Sequence, residues 1–191
     1  MKKDLFAKYY SYLFVPTTFT LWLFIYSSLT FLENKFLGII LSVLFTFIIP
    51  IAVFLMFKKH GKIKDYDASV KEERTNLYFI GVLLCGVGLI ISIALNFNIN
   101  YSILWLIYII NSLFLIMINK YWKISAHMIG VSAPMAAFLF FGSIYFIILF
   151  FLAILLAWAR LKLKMHSINQ IIAGFLFGFL LTYLQLIIFI G

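Results

Sequence analysis

The sequence contains little charge and almost no polar surface for a soluble domain. Only 11% of its 191 residues are Asp, Glu, Lys or Arg, whereas 65% are hydrophobic. Apolar runs of about 20 residues are long enough to cross a bilayer as helices, and such runs recur up to the last residue. The composition therefore predicts an integral membrane protein with a single transmembrane domain over residues 1–191.

Cysteine and the common metal-binding patterns are also scarce. The single cysteine, Cys85, lies inside an apolar run and cannot form an intrachain disulfide bond. No Cys/His cluster and no HExxH spacing offers a zinc site. We therefore expect no disulfide framework, no metal and no other cofactor.

The apolar runs predict an all-α bundle of six to seven transmembrane helices. Pro16 is expected near the start of the first helix, whereas Pro50 and Pro134 should fall inside helices and bend them. Gly174 and Gly178 form a GxxxG spacing, which is typical of closely packed helices. The helices are predicted near residues 12–32, 36–57, 76–95, 101–119, 126–141, 143–158 and 167–190.

The basic residues indicate the orientation of the bundle in the membrane. If each predicted helix crosses once, 14 of the 15 Lys and Arg residues lie on the N-terminal side, and only Lys35 lies opposite. Positive loops stay in the cytoplasm, so we expect a cytoplasmic N-terminus and an external C-terminus. The richness in Ile, Lys, Asn and Phe suggests an AT-rich genome, and we therefore expect a bacterial cytoplasmic membrane. The net charge of +9 also suits contact with anionic lipid headgroups. Nucleic-acid binding is not expected, since no soluble domain carries these charges.

Two histidines lie at the cytoplasmic ends of predicted helices. His127 closes the segment KISAH, residues 123–127, and His166 closes ARLKLKMH, residues 159–166. With the loop that ends in KEER, residues 71–74, they return to one membrane surface. Three segments that carry basic residues or histidine should therefore converge there.

These segments resemble the type 2 phosphatidic acid phosphatase superfamily, which includes membrane lipid phosphatases and vanadium haloperoxidases. Its signatures are Lys-x6-Arg-Pro, Ser-Gly-His and Arg-x5-His-x3-Asp, and the resemblance covers roughly residues 60 to 180. Arg160 and His166 match the third signature, and Ser125-Ala126-His127 matches the second with alanine in place of glycine.

Two positions depart from the family pattern. Asp67, not lysine, stands seven residues before Arg74, and Thr75 replaces the proline, although Lys64 and Lys71 have the x6 spacing. Gln170 replaces the aspartate of the third signature.

The resemblance implies hydrolysis of a lipid phosphate monoester or pyrophosphate through a phosphohistidine intermediate, without a metal. His166 would be the nucleophile and His127 the acid that protonates the leaving oxygen. The phosphate oxygens would be bound by cations and a hydroxyl that suit a dianion, namely Arg160, Arg74, Lys71, Lys64 and Ser125.

Gln170 allows two interpretations. An amide oxygen there could orient His166 as the family aspartate does, although it cannot balance a positive imidazole. Ser167-Ile168-Asn169-Gln170 also matches a helix capping box, S-x-x-Q. A carboxylate of the long loop could contact His166 instead, and the candidates are Asp65, Asp67, Glu72 and Glu73.

Simpler explanations exist for several of these residues. His127 could be an interfacial side chain that reaches the headgroups, and Arg74 with Lys71 could be a surface cluster balanced by neighbouring acids. Two functions of other classes therefore stay open: a non-catalytic family member that binds a lipid phosphate or a partner membrane protein, and a small transporter. The transporter is disfavoured because the helix centres lack ionisable residues that would mark a path. The lipid and the oligomeric state are not predicted.

Overall fold

The computed structural model describes residues 2–66 and 70–191, without the side chains of Lys2, Lys3 and Lys71. Within those residues the chain forms nine α-helices and one π-helical segment, and no strand. The elements are α1 Lys2–Leu13, α2 Pro16–Phe31, α3 Lys35–Val43, the π-helical segment Leu44–Ile48, α4 Ile49–Lys59, α5 Lys71–Ala94, α6 Ile99–Tyr121, α7 Ala126–Phe140, α8 Tyr145–Lys162 and α9 Ile168–Phe189. The predicted all-α fold is confirmed.

Several helices have the length and composition of membrane spans. Five of the described helical stretches qualify, and a sixth does if α1 and α2, bent by 43° at their junction, are taken as one span. Helix α7 is apolar but has only 15 residues. These long apolar helices are compatible with an integral membrane protein. The five stretches are Lys35–Lys59, Glu72–Ala94, Ile99–Tyr121, Tyr145–Lys162 and Ile168–Phe189.

The first helix differs from the sequence prediction. A helix was expected to begin near residue 12, but α1 begins at Lys2 and ends at Leu13, and α2 starts at Pro16. Pro16 interrupts the helix because it lacks an N–H group, yet it is well suited to the first turn of a new one. Because α1 contains charged residues, it does not form an apolar run in the sequence.

Proline also explains the π-helical segment. Pro50 has no N–H group for the carbonyl of Thr46, and its ring would clash with that carbonyl in a regular α-helix. The chain instead widens over Leu44–Ile48, where the N–H of Ile49 donates to the carbonyl of Leu44. The helix continues as α4, so that residues 35–59 form one stretch.

Four helices end in the same hydrogen-bonded turn. A residue with positive φ follows each helix, and the next residue's N–H donates back to a carbonyl five residues earlier, which is a Schellman motif. Gly61 and Gly142 occupy two of these positions without strain. Asn96 and Lys164, with φ of 52° and 54°, occupy the others.

The chain divides into two compact units. The first unit comprises Met1–Leu23 and Ile124–Gly191, and the second comprises Phe24–Lys123. In the first unit, residues 127–138 of α7 are all buried. The small residues Gly130 and Gly178 let neighbouring segments approach α7 closely, since a Cβ atom at Gly130 would lie 2.6 Å from Cα of Pro16, and one at Gly178 would lie 2.9 Å from Cα of Ile129.

The second unit has its own aromatic and polar core. The rings of Phe24 and Trp105 lie 4.1 Å apart between centroids. Ser42 Oγ lies 3.2 Å from Ser28 Oγ and 3.1 Å from the Tyr101 hydroxyl, which links α2, α3 and α6 through buried hydrogen bonds. Both serine hydroxyls also donate to a carbonyl of their own helix at 2.7 Å, Ser28 to Phe24 and Ser42 to Gly38, so this polar cluster combines contacts within and between helices.

Candidate functional site

A tight turn between α8 and α9 fixes the spacing of Arg160 and His166. The N–H of Lys164 donates to the carbonyl of Leu161 at 2.9 Å, and the N–H of Met165 donates to the carbonyl of Arg160 at 3.1 Å. These bonds form the Schellman motif that ends α8. The five residues between the arginine and the histidine therefore span the last turn of one helix and the short connection to the next.

Arg160 points into the interior of the first unit. Its side chain is fully buried, and Nη1 donates a hydrogen bond of 2.6 Å to Oγ of Ser11 in α1. A guanidinium keeps its charge even when buried. The unit therefore holds a permanent positive charge in its core.

His166 is held by Gln170. Nδ1 of His166 lies 3.2 Å from Oε1 of Gln170, and the same Oε1 accepts a hydrogen bond of 3.1 Å from the backbone N–H of Ser167. Because the backbone N–H can only donate, the group that faces both partners is the amide oxygen. In this geometry Nδ1 of His166 donates to Oε1 of Gln170.

The capping box predicted from Ser167 and Gln170 is present. Oγ of Ser167 accepts a hydrogen bond of 3.4 Å from the backbone N–H of Gln170, and the Gln170 side chain returns to the N–H of Ser167. One side chain thus starts α9 and orients His166 at the same time. The two interpretations of Gln170 describe the same geometry.

The start of α7 lies against the start of α9. The backbone N–H of Ser125 donates to the carbonyl of Gln170 at 3.3 Å. A Cβ atom at Gly174 would lie only 2.7 Å from the carbonyl oxygen of Ser125, so glycine is needed for this close approach. The GxxxG spacing of α9 thus brings Ser125 beside the residue that holds His166.

The Ser125 hydroxyl differs from that of Ser167. Both serines stand at the N-cap position of a helix, but the Ser125 side chain makes no capping hydrogen bond. Its Oγ is fully buried and has no hydrogen-bond partner among residues 2–66 and 70–191. A buried hydroxyl without a partner is costly, so this group is suited to donate to a ligand.

His127, the second residue of α7, is 9% exposed.

The first unit is strongly basic. By sequence it contains six Lys and Arg residues and one acid, Asp4. A carboxylate oxygen of Asp4 lies 3.6 Å from Nζ of Lys162, and both side chains are exposed. Together with the positive ends of α7 and α9, this charge balance favours an anion.

The remaining predicted phosphate ligands belong to the second unit. Arg74 lies in the first turn of α5 and is 4% exposed. Lys64 is exposed, and its backbone N–H donates to the carboxylate of Glu73 at 3.0 Å. Lys71 begins α5, but its side chain lies outside the described part of the structure, as does the whole of Asp67.

Among the described residues, no group of three His, Cys, Asp or Glu side chains is arranged to hold a metal ion.

Sequence reasoning missed Ser11. It is fully buried against Arg160, but the two residues are 149 positions apart. Ser11 belongs to no recognisable motif, and only the burial of an isolated serine in α1 could have drawn attention to it.

Comparison of the chain with models of protein families, with curated proteins and with solved structures gives no match.

Proposed function

We propose that this chain is a membrane lipid phosphatase that resembles the type 2 phosphatidic acid phosphatases. Its substrate would be a lipid phosphate monoester or pyrophosphate, whose tails stay in the bilayer while the headgroup enters the first unit. The observation that carries the proposal is the buried Ser125 hydroxyl, which has no partner among the described residues and lies beside the His166–Gln170 pair.

The proposed reaction has two steps. Nε2 of His166 attacks phosphorus, and the bond between phosphorus and the lipid oxygen breaks as His127 gives that oxygen a proton. His127 then takes a proton from water, whose oxygen attacks the phosphohistidine and releases inorganic phosphate and free His166. Gln170 keeps the proton of His166 on Nδ1, which leaves the Nε2 lone pair available for the attack.

The first unit would supply binding energy for the phosphate. Arg160 supplies a fixed cation, and Ser125 and the first N–H groups of α7 and α9 supply further donors. Three or more such groups around the equatorial oxygens stabilise the charge that spreads over them in the transition state.

Phosphate release tests the proposal. Purified protein in detergent, with a chelator present, should release phosphate from phosphatidic acid, phosphatidylglycerol phosphate or undecaprenyl pyrophosphate. His166→Ala and His127→Ala should abolish turnover of that substrate. If the wild-type protein releases phosphate from none of these lipids, the proposal fails.

One observation favours a non-catalytic alternative. Gln170 is a neutral amide, which orients His166 but cannot balance the positive charge of an attacking imidazole. The chain could then bind a lipid phosphate or a partner membrane protein without hydrolysis. In that case wild-type protein and His166→Ala would bind phosphatidic acid vesicles equally well, and neither would release phosphate.

We propose a membrane orientation that agrees with the distribution of the basic residues. If α1 and α2 form one span and α7 a short one, the chain would cross seven times, and the N-terminus and the ends of α7, α8 and α9 that carry the site would lie in the cytoplasm. Gly191 would then lie outside. A reporter enzyme that is active only outside the cytoplasm, fused after Gly191, should be active, and a cytoplasmic readout would overturn the orientation.

A further inference from the structure

Arg160 of α8 contacts Ser11 of the N-terminal helix α1. Nη1 of Arg160 lies 2.6 Å from Oγ of Ser11, and both side chains are fully buried. The donor is charged, and hydrogen bonds with a charged donor are stronger than those between neutral groups. The bond therefore fixes the position of Nη1 of the guanidinium.

The position of α1 is itself fixed by contacts along α8. The hydroxyl of Tyr10 donates to the carbonyl of Leu152 at 3.2 Å, and the rings of Phe6 and Trp158 lie 6.2 Å apart. Ser11 follows Tyr10 directly, so its hydroxyl is presented to Arg160 by a helix that packs along α8.

A guanidinium binds phosphate best when its plane is fixed. Its N–H groups form a planar fork that matches two phosphate oxygens at once, and a rotation about the last bonds of the side chain would break that match. A hydroxyl that accepts from Nη1 disfavours this rotation. The conformational entropy of the arginine side chain is then lost on folding and not when the phosphate binds.

We propose that Ser11 is a positioning residue that fixes the plane of the Arg160 guanidinium for the phosphate of the substrate. This inference rests on the proposed function. It assigns a part in the site to α1, which lies outside all of the sequence motifs. Ser11 acts through Arg160 and does not touch the substrate.

The test is a set of variants in the full-length protein. Ser11→Ala removes the hydroxyl, Ser11→Cys keeps the volume but offers only a weak acceptor, and Ser11→Thr keeps the hydroxyl. Arg160→Lys removes the planar fork. Ser132→Ala is the matched control, since Ser132 is also fully buried in the first unit and its hydroxyl donates to the carbonyl of Ile129 in its own helix.

The first readout is kcat and KM for phosphatidic acid in mixed micelles. Ser11→Ala and Ser11→Cys should lower kcat/KM by about tenfold, whereas Ser11→Thr and Ser132→Ala should stay close to the wild type. Arg160→Lys should lower it further, and the double variant Ser11→Ala/Arg160→Lys should match Arg160→Lys alone, because a lysine has no plane to fix. Wild-type activity in Ser11→Ala, or losses that multiply in the double variant, would overturn the proposal.

The second readout separates this inference from the proposed function. Inorganic phosphate that binds the folded protein raises its unfolding temperature, and this rise requires no turnover. If no lipid is hydrolysed but phosphate stabilises the wild type and Ser11→Thr more than Ser11→Ala and Arg160→Lys, the phosphatase proposal fails and the role of Ser11 stands. If phosphate stabilises the wild type and Ser11→Ala equally, or stabilises neither, the role of Ser11 is rejected.

Discussion

Oε1 of Gln170 lies 3.2 Å from Nδ1 of His166 and 3.1 Å from the backbone nitrogen of Ser167, so one oxygen atom accepts from both. The backbone donor fixes the orientation of the amide, and the amide fixes the protonated nitrogen of the imidazole. Helix capping and imidazole orientation are therefore served by the same side chain.

The amide at position 170 should limit the rate, which predicts a gain from Gln170→Glu. The carboxylate can accept both hydrogen bonds, since S-x-x-E is also a capping box, and it stabilises the positive charge that develops on His166. We expect kcat for phosphatidic acid to rise by about tenfold or more, by analogy with the loss of about 10⁴ when a triad aspartate becomes an amide. Gln170→Leu, which removes both bonds, should lower kcat. An unchanged or lower kcat in Gln170→Glu would contradict this account.

Substitutions of Ser125 and Ser167 should have different effects. The first should lower phosphate turnover, and the second should lower the stability of the protein. Ser125→Ala removes a hydroxyl that caps nothing, so kcat/KM should fall by about a hundredfold while the unfolding temperature changes little. Ser167→Ala removes a capping hydroxyl and should cost about 1 kcal/mol of stability. Thermal unfolding in detergent and phosphate release, measured on both variants, check this division. The reverse pattern would mean that Ser125 has only a structural role.

Gly174 should be intolerant of a methyl group. Gly174→Ala places a carbon atom 2.7 Å from the carbonyl oxygen of Ser125, which pushes α7 away from α9 and should cost about 1–3 kcal/mol. Gly86→Ala is the control, because the space around Gly86 in α5 is open within 4 Å and alanine favours a helix. We expect a lower unfolding temperature in the first variant and an equal or higher one in the second. Equal behaviour of the two variants would argue against close contact of α7 and α9.

Replacement of Lys164 by glycine should stabilise the protein. Its φ of 54° is unfavourable for a side chain with a Cβ atom, at a cost of about 1 kcal/mol, whereas glycine is the usual residue at this position of a Schellman motif. Lys164→Gly should therefore raise the unfolding temperature slightly. Lys162→Gly, at the last residue of α8, should lower it, since glycine is less favourable than lysine in a helical backbone and the variant loses the contact with Asp4. Destabilisation by Lys164→Gly would show that the turn does not need this backbone conformation.

The sequence predicts the all-helical fold because long apolar runs are a local property. It misses most of α1, whose residues Lys2, Lys3, Asp4 and Lys8 interrupt the apolar pattern. The π-helical segment before Pro50 is also unforeseen, because a proline within an apolar run can be accommodated by a kink, a break or a wider turn.

Part of the site was predictable because it depends on local sequence patterns. His166 and Gln170 are four residues apart, so their contact follows from helical spacing, and the capping box is a pattern over four residues. The contact between Ser11 and Arg160 joins residues at opposite ends of the chain. Only packing of α1 against α8 creates it, and no local pattern encodes that packing.

The covalent step gives the most direct test of the proposed reaction. Protein mixed with phosphatidic acid that carries a radioactive phosphate, then denatured within the first turnover, should retain label that is stable to base and released by acid, as expected of a phosphohistidine. We predict label on the wild-type protein and none on His166→Ala. Equal labelling of His166→Ala, or hydrolysis by the wild type without any trapped label, would contradict the proposal that His166 is the nucleophile.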